Sequence, residues 1–458
     1  MLRALRLRLC VAVACLALAR TASAQSSLPL FLEVARDPGR ADVPATARAV
    51  AMGGVKLPSG RAEDALSNPS GLVRRRGHDA VFSFGTFGFG RDELTLTPRQ
   101  SPPFEPGRTR SETTRVRLAF GAAAFRTPTW AIAPFWDRSQ RIAHRFITAL
   151  NHLRTSAIPG FIGTEHGTGI AEFALDLTRV GGAVAVGSPS RRVSAGGAVY
   201  AIRAAVNASA SVTTTSVAVF YAPYVPSRTE RVSTDTNITR GSAWRLGMIA
   251  GLSVETRGGF MLAGRIQHDP ALSLSRWIMN SDSVQGSTEP VELDPPDVMA
   301  VSASFSAGRT TVGGEVARLA YGGVYGPLDP PDSPNSVCQT LGNSRCSGWG
   351  FGPYRATDAV AVRVGLEQGV PIGLGVLRLR GGLAFENGYT VARSRNDPDL
   401  NGGSLPAPVV TTAFVPPRLS STTLAWGAGY AWRGVELAAG LSHTRAEHRV
   451  LVDVRVSR

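Results

Sequence analysis

The feature that most constrains this chain is an apolar period of two whose two faces differ in size. In Leu424-Ala425-Trp426-Gly427-Ala428-Gly429-Tyr430-Ala431-Trp432, the residues Leu424, Trp426, Ala428, Tyr430 and Trp432 share one face, and Ala425, Gly427, Gly429 and Ala431 share the other. Large apolar side chains on one side and almost none on the other suit a wall that encloses something, with the large face outward. After the Arg433-Gly434 turn, Val435, Leu437, Ala439 and Leu441 alternate with Glu436, Ala438, Gly440 and Ser442, and Val450, Val452, Val454 and Val456 are set against Leu451, Asp453, Arg455 and Ser457. Upstream, Val360, Val362, Val364 and Leu366 oppose Ala361, Arg363, Gly365 and Glu367; the expected partner strand sets Leu377, Leu379, Leu383 and Phe385 against Arg378, Arg380, Ala384 and Glu386. Arg115 to Phe120 repeats the pattern near the other end.

A soluble sandwich also alternates. Three features favour a membrane barrel. Many runs reach about ten residues, enough to cross a bilayer at a tilt, whereas strands of soluble sheets average about six. Trp130, Trp136, Trp244, Trp426, Tyr430 and Trp432 stand towards strand ends, where interfacial girdles lie. Short turns such as Ala307-Gly308-Arg309 and Arg257-Gly258-Gly259 alternate with long polar stretches, expected as external loops at 138–165, 270–295, 323–355 and 388–418. The expectation is an all-β transmembrane antiparallel barrel of roughly twelve to sixteen strands, an even number. No stretch beyond residue 24 is apolar for 18 residues, which excludes a helical membrane protein. Ile142, Phe146, Leu150 and Leu153 fall at helical spacing ahead of Pro159-Gly160, which predicts a loop helix over Arg141 to Ala157.

Composition agrees with an exported barrel. Residues 1–24 combine Arg3, Arg6 and Arg8, an apolar run from Leu9 to Ala19 and Ala22-Ser23-Ala24 before Gln25, the pattern of a cleaved signal peptide. Charged residues make up 18% of the chain, below the roughly 25% of ordinary soluble domains, and glycine contributes 50 of 458 residues. The formal charge is +15, yet Lys56 is the only lysine and the arginines are scattered, which argues against nucleic acid and allows contacts with anionic lipid and lipopolysaccharide phosphates. Cys338 and Cys346, in a loop-like stretch, are expected to close a small disulfide.

The segment from residue 25 to 76 does not alternate. Its Ala49 to Leu72 portion carries four glycines and two prolines and ends in the tight-turn sequence Asn68-Pro69-Ser70-Gly71, against one long helix. Phe31-Leu32-Glu33, Ala47-Arg48-Ala49-Val50-Ala51-Met52-Gly53-Gly54, Glu63-Asp64-Ala65-Leu66 and Asn68-Pro69-Ser70-Gly71-Leu72 together resemble the N-terminal signature of the outer-membrane long-chain fatty-acid and aromatic-hydrocarbon transporter superfamily, the FadL-like proteins. Leu246 to Leu252, Arg363 to Glu367 and Gly427 to Tyr430 resemble its later strands.

The resemblance implies fourteen strands, residues 77–458, around an N-terminal hatch, with a hydrophobic ligand bound between hatch and wall and released sideways. Asn68, Pro69, Ser70 and Gly71, with Met52, Gly53 and Gly54, are then the gate residues; Ser70 replaces the usual alanine. A sister branch with a similar start serves protein secretion, which implies a secretion-machinery partner instead. Two departures stand out: Val456-Ser457-Arg458 lacks the terminal aromatic usual in bacterial barrels, and Val34 to Pro44 is an additional stretch.

Enzyme chemistry is not expected. The histidines form no H-E-x-x-H helix, and no G-x-S-x-G elbow or Walker loop occurs. Asp397 to Gly402 starts like a calcium loop, but its twelfth position is Pro408 and no metal or other cofactor is implied. The inward charges Arg363, Glu367, Arg378, Arg380 and Glu386 are expected on one lumen wall, where they satisfy each other, hold the hatch, or clamp a ligand carboxylate.

Overall fold

The computed structural model describes residues 44–96, 106–155, 161–220, 227–256, 258–279, 287–293, 295–320, 354–356, 358–388, 391–393, 420–444 and 448–458. Fourteen strands form a closed antiparallel barrel. They are β1 (Asp79–Leu96), β2 (Pro106–Arg126), β3 (Trp130–Thr155), β4 (Phe161–Gly187), β5 (Val193–Phe220), β6 (Ser227–Glu255), β7 (Phe260–His268), β8 (Asp297–Ala307), β9 (Thr310–Ala320), β10 (Ala359–Ile372), β11 (Gly375–Glu386), β12 (Ser421–Trp432), β13 (Val435–His443) and β14 (His448–Ser457). Each pairs with its neighbours in sequence, and β1 closes on β14 with Asp79 opposite Ser457. Closure leaves no strand edge in the bilayer, where unpaired backbone groups find no water.

The alternation sorts the side chains as the sequence requires. On β12, Leu424, Trp426, Tyr430 and Trp432 are exposed, while Ala425 and Gly429 are buried. The same parity exposes Val360, Val362, Val364 and Leu366 on β10 and buries Ala361, Arg363 and Glu367. The β10–β11 hairpin forms in the expected place, with Glu367 opposite Arg380. The outward apolar run on β6, through Val254, Leu252, Met248 and Leu246, ends at Trp244, over whose ring the Arg203 guanidinium lies at 5.8 Å. On β9 the run ends at Arg318, ion-paired with Asp358. A continuous belt of exposed Val, Leu, Phe and Trp suits hydrocarbon rather than water.

Two sequence expectations need correction. Residues 141–155 are not a loop helix and 138–155 are not an external loop. β3 spans 26 residues and β4 27, and their ladder continues from Gln140 opposite Leu177 to Thr155 opposite Ile162. A continuous ladder to β4 satisfies the backbone groups along one edge of this stretch, and such tertiary pairing overrides a weak helical spacing. The stretch 270–295 likewise contains a hairpin, Leu272–Met279 with Ser287–Leu293, which pairs with β6 at Thr236 to Thr239. Strands extended past the apolar belt replace much of the expected loop structure. Of the other two expected loops, residues 354–355, 388 and 391–393 are described, with Tyr354–Ala356 paired to Val391–Arg393; the rest of 323–355 and 388–418, with Cys338, Cys346, the calcium-like stretch and residues 1–43, lies outside the described residues.

Candidate functional site

Residues 44–77 run inside the ring. Their only regular elements are α1 (Ala47–Ala51), α2 (Asp64–Ser67) and a 3-10 turn (Pro69–Val73). Thr46 caps α1 by accepting from the Ala49 amide at 3.3 Å, and Gly53 and Gly54 follow with positive φ, so the helix stops after little more than one turn. Asp64 fixes the next bend. Its carboxylate accepts the amides of Ser59, Gly60 and Arg61 at 2.8, 2.7 and 3.1 Å and the Ser59 hydroxyl at 3.0 Å. Asn68 fixes the last turn: Oδ1 accepts from the Ser70 amide and hydroxyl, and Nδ2 donates to the Gly264 carbonyl on β7.

The wall makes room for this segment by omitting side chains. Gly313, Gly365 and Gly382 stand opposite one another on β9, β10 and β11. A Cβ at Gly382 would lie 2.2 Å from the Gly53 nitrogen, at Gly365 2.8 Å from the Met52 oxygen, and at Gly440 2.1 Å from the Ala47 oxygen. Across the lumen, Gly196 and Gly251 are paired on β5 and β6 beneath the Asn68-Pro69-Ser70 turn, where a Cβ would meet Pro69 at 2.5 Å or Asn68 Oδ1 at 2.1 Å. The small inward face is thus a groove cut to the path of one particular segment.

Two chemically different halves of wall meet the segment. One half, on β1 and β9–β14, is charged. Glu367 accepts from Arg48 Nε at 3.1 Å and Arg380 Nε at 2.7 Å, with Arg61 and Arg378 at 3.8 and 3.3 Å. Glu436 takes Arg380 at 2.6 Å, Arg455 at 3.2 Å and Arg61 at 3.5 Å, and Arg455 reaches back to Glu63 at 2.5 Å. Asp453 accepts the Ala47 amide at 2.8 Å, and Glu315 takes the Lys56 amide and the Arg363 guanidinium. Burial alone would raise the Glu63 carboxyl, but Arg455, Arg61 and Arg48 outweigh it and hold Glu63 below the usual carboxylate range.

The other half is apolar. Phe120, Phe135, Leu177, Ile202, Val206 and Ile249 of β2–β6 are buried in one cluster with Ala62, Ala65, Leu66, Leu72 and Val73 of the inner segment. Polar ties also reach the segment from this side: Arg126 of β2 donates to the Leu72 and Gly77 carbonyls at 2.6 and 3.0 Å, and Arg74 pairs with Glu255 of β6. A compact polar group lies among the apolar residues of the wall. Arg179 of β4 donates to Asp137 of β3 at 3.2 Å and to Asp269, just beyond β7, at 2.9 Å; Asp269 also accepts from Tyr200 of β5 and from Gln267 at 2.9 Å. Beside this group the β2–β3 ladder is interrupted. It runs from Arg126 opposite Ala131 to Phe120 opposite Asp137 and ends there, and on the other edge of β3 the ladder to β4 has a register shift between Asp137 and Gln140.

The structure therefore brings together Glu367, Arg378 and Arg380 on the expected wall and sets Arg380, with its side chain fully buried, between two carboxylates, while Arg363 pairs with Glu315 instead. Glu386 stands apart from them, with Arg363 and Arg449, at an opening of about 670 Å³, mouth included, that reaches down to Gly53 and Gly54. Sequence reasoning missed Glu436, Arg455 and Asp453, although each occupies the inward parity of its strand. It also missed Arg48, Arg61 and the Arg179–Asp269 group. Among the described residues no His, Cys, Asp and Glu cluster could hold a metal ion.

No protein-family profile matches the chain, and no curated protein matches it either. Solved structures do. A Pseudomonas aeruginosa FadL homologue matches with a TM-score of 0.53 at 11% identity, over 91% of this chain and 98% of that one. The CymD monoaromatic hydrocarbon channel matches with a TM-score of 0.51 at 12% identity, over 91% of this chain and 97% of that one. At these identities the likeness concerns the fold, and it extends over nearly the whole length of both. The chain has the FadL-like barrel fold.

Proposed function

We propose that this protein is an outer-membrane channel for small hydrophobic molecules, exported through cleavage of its signal peptide, and that residues 44–77 act as its hatch. The observation that carries this reading is the division of the lumen. Charged wall holds one side of the hatch through multiple ion pairs, whereas the opposite side meets it chiefly through the apolar cluster, with polar ties confined to the Asn68 turn, the Arg126 bonds to the Leu72 and Gly77 carbonyls and the Arg74–Glu255 pair. Apolar contacts can be exchanged for a hydrophobic ligand at little cost, while buried ion pairs cannot be separated without a large penalty. Ligand passes between hatch and the β2–β6 face, the Asn68-Pro69-Ser70-Gly71 turn shifts, and Met52-Gly53-Gly54 stays seated as the fixed end. Exit is sideways at the interrupted β2–β3 ladder. The sequence resemblance implies long-chain fatty acids as one ligand class, and the fold likeness to a monoaromatic hydrocarbon channel supports aromatic hydrocarbons as another. The buried, doubly paired Arg380 favours hatch retention over a carboxylate clamp in this reading.

The test is uptake of a labelled long-chain fatty acid and of labelled toluene by cells that lack their own transporter. Uptake of either that is lost with Asn68→Ala/Pro69→Ala is expected. A folded outer-membrane barrel that admits neither would overturn the channel reading in favour of partner binding.

A further inference from the structure

Two described residues other than glycine have positive φ, and both are arginines at tips of short turns: Arg191 (φ 57°) between β4 and β5, and Arg433 (φ 45°) between β12 and β13. A left-handed backbone favours glycine or asparagine, because a Cβ crowds the following carbonyl. A long charged side chain placed there twice calls for a reason. Arg433 stands over an outward tryptophan, and Arg191 is tied to the turn that leads into another. The Arg433 guanidinium lies 4.9 Å above the Trp432 ring, and Arg191 Nε donates to Pro128 at 3.2 Å, in the turn that leads into Trp130. Both tryptophans are more than 40% exposed at the end of the apolar belt. The same rim carries Arg76, Arg192, Arg309 and Arg458, all exposed, and the described short-turn residues include no Asp or Glu.

We propose that this short-turn rim is a binding collar for anionic phospholipid of the adjoining leaflet, with Arg191 and Arg433 as its principal ligands for headgroup phosphate. Tryptophan fixes the depth of the barrel at the headgroup level, and the guanidinium beside it presents paired N–H donors to a phosphate there. Arginines fixed at the lipid boundary, next to aromatic anchors and pointing away from the lumen, fit a bilayer surface better than a soluble acidic protein. The inference rests on reading the chain as a membrane barrel, but it does not depend on cargo or hatch movement.

The experiment compares the full-length protein with Arg191→Gly/Arg433→Gly. Glycine relieves the backbone at both positions, so the variant is expected to fold. Each protein is exchanged into mixed micelles of phosphatidylglycerol or phosphatidylcholine, and retained lipid is counted by native mass spectrometry. The parent is expected to retain phosphatidylglycerol preferentially, and the variant to lose that preference by about fivefold per arginine removed. Equal retention of the two lipids by the parent would overturn the proposal. So would an unchanged preference in the variant, or inorganic phosphate displacing the lipid at millimolar concentration. Lipid retention is read without any uptake measurement, so failure of the channel reading leaves this result standing, and the reverse.

Discussion

Arg380 and Glu367 face each other across the β10–β11 ladder, Nε to Oε2 at 2.7 Å, and the same carboxylate oxygen takes Arg48 of the inner segment at 3.1 Å. A wall pair is thereby also a holding point of the inner segment. Arg380 cannot swing towards a ligand without leaving Glu367 and Glu436 buried and short of a partner.

Removing that carboxylate should free the segment without opening the barrel. Glu367→Gln leaves Arg48, Arg61, Arg378 and Arg380 around a neutral amide, and breaking a buried pair of this kind costs about 3 kcal/mol or more. Hydrogen-exchange protection of residues 46–73 is expected to fall by that amount, while the strand amides keep theirs. Equal loss in both would mean that the network supports the wall and not the hatch.

The glycine groove makes a prediction with an internal control. Gly251→Ala would bring a Cβ to 2.1 Å from Asn68 Oδ1, whereas at Gly182 nothing lies within 4 Å. Overpacking of this sort costs about 1–3 kcal/mol. We expect Gly251→Ala to displace the Asn68 turn and raise permeation of small apolar solutes, and Gly182→Ala to behave as the parent. Liposome permeation assays separate the two.

Acid should loosen the hatch. Glu63 has its pKa lowered in the folded state, so the folded state binds fewer protons than the unfolded one near the ordinary carboxylate value of 4.5. Its contribution is present in full above that value and is lost as pH falls through the lowered one. Arg455, Arg61 and Arg48 face Glu63, with Glu436 as the opposing charge. Protection of the segment is expected to decline below pH about 4.5, the unfolded carboxylate value. Glu63→Gln should start from a weaker level and lose part of the slope; an unaltered slope would assign the acid response to other carboxylates.

On the apolar side, the polar group around Asp269 tethers residues beyond β7 to β4 and β5. Tyr200→Phe removes one hydrogen bond and is expected to lower stability by about 1 kcal/mol. Asp269→Asn leaves Arg179 with Asp137 alone and should cost about 3 kcal/mol. Thermal unfolding followed by the gel mobility of the folded barrel would read both, and similar losses for the two variants would refute a central role for the carboxylate.

Much of this arrangement was legible in the residues. The parity of β10 to β14 followed from Val, Leu and Trp alternating with Ala and Gly, and it placed Glu367 and Arg380 on the lumen side. The same parity marks Glu436, Asp453 and Arg455, but their role depends on Arg61 and Glu63, hundreds of residues away. The Arg179–Asp269 pair is 90 residues apart in sequence and crosses β5 and β6, which no local spacing reveals. The helix expected at 141–157 failed for a related reason: a spacing of three and four is a local signal, and β4 supplied a ladder along the stretch. The glycine groove could not be told from small residues of general use, because its meaning lies in the backbone that passes over it.

The last strand carries a consequence for how the molecule is made. Asp453 and Arg455 of β14 hold Ala47 and Glu63 across 406 and 392 residues of chain, and the strand that bears them is also the one that seals β1. The inner segment is therefore fastened by a strand that lies about four hundred residues later in the chain. Sealing the cylinder and fastening its contents thus depend on one strand, so a barrel with an open β1–β14 seam would also leave the inner segment without its Asp453 and Arg455 contacts.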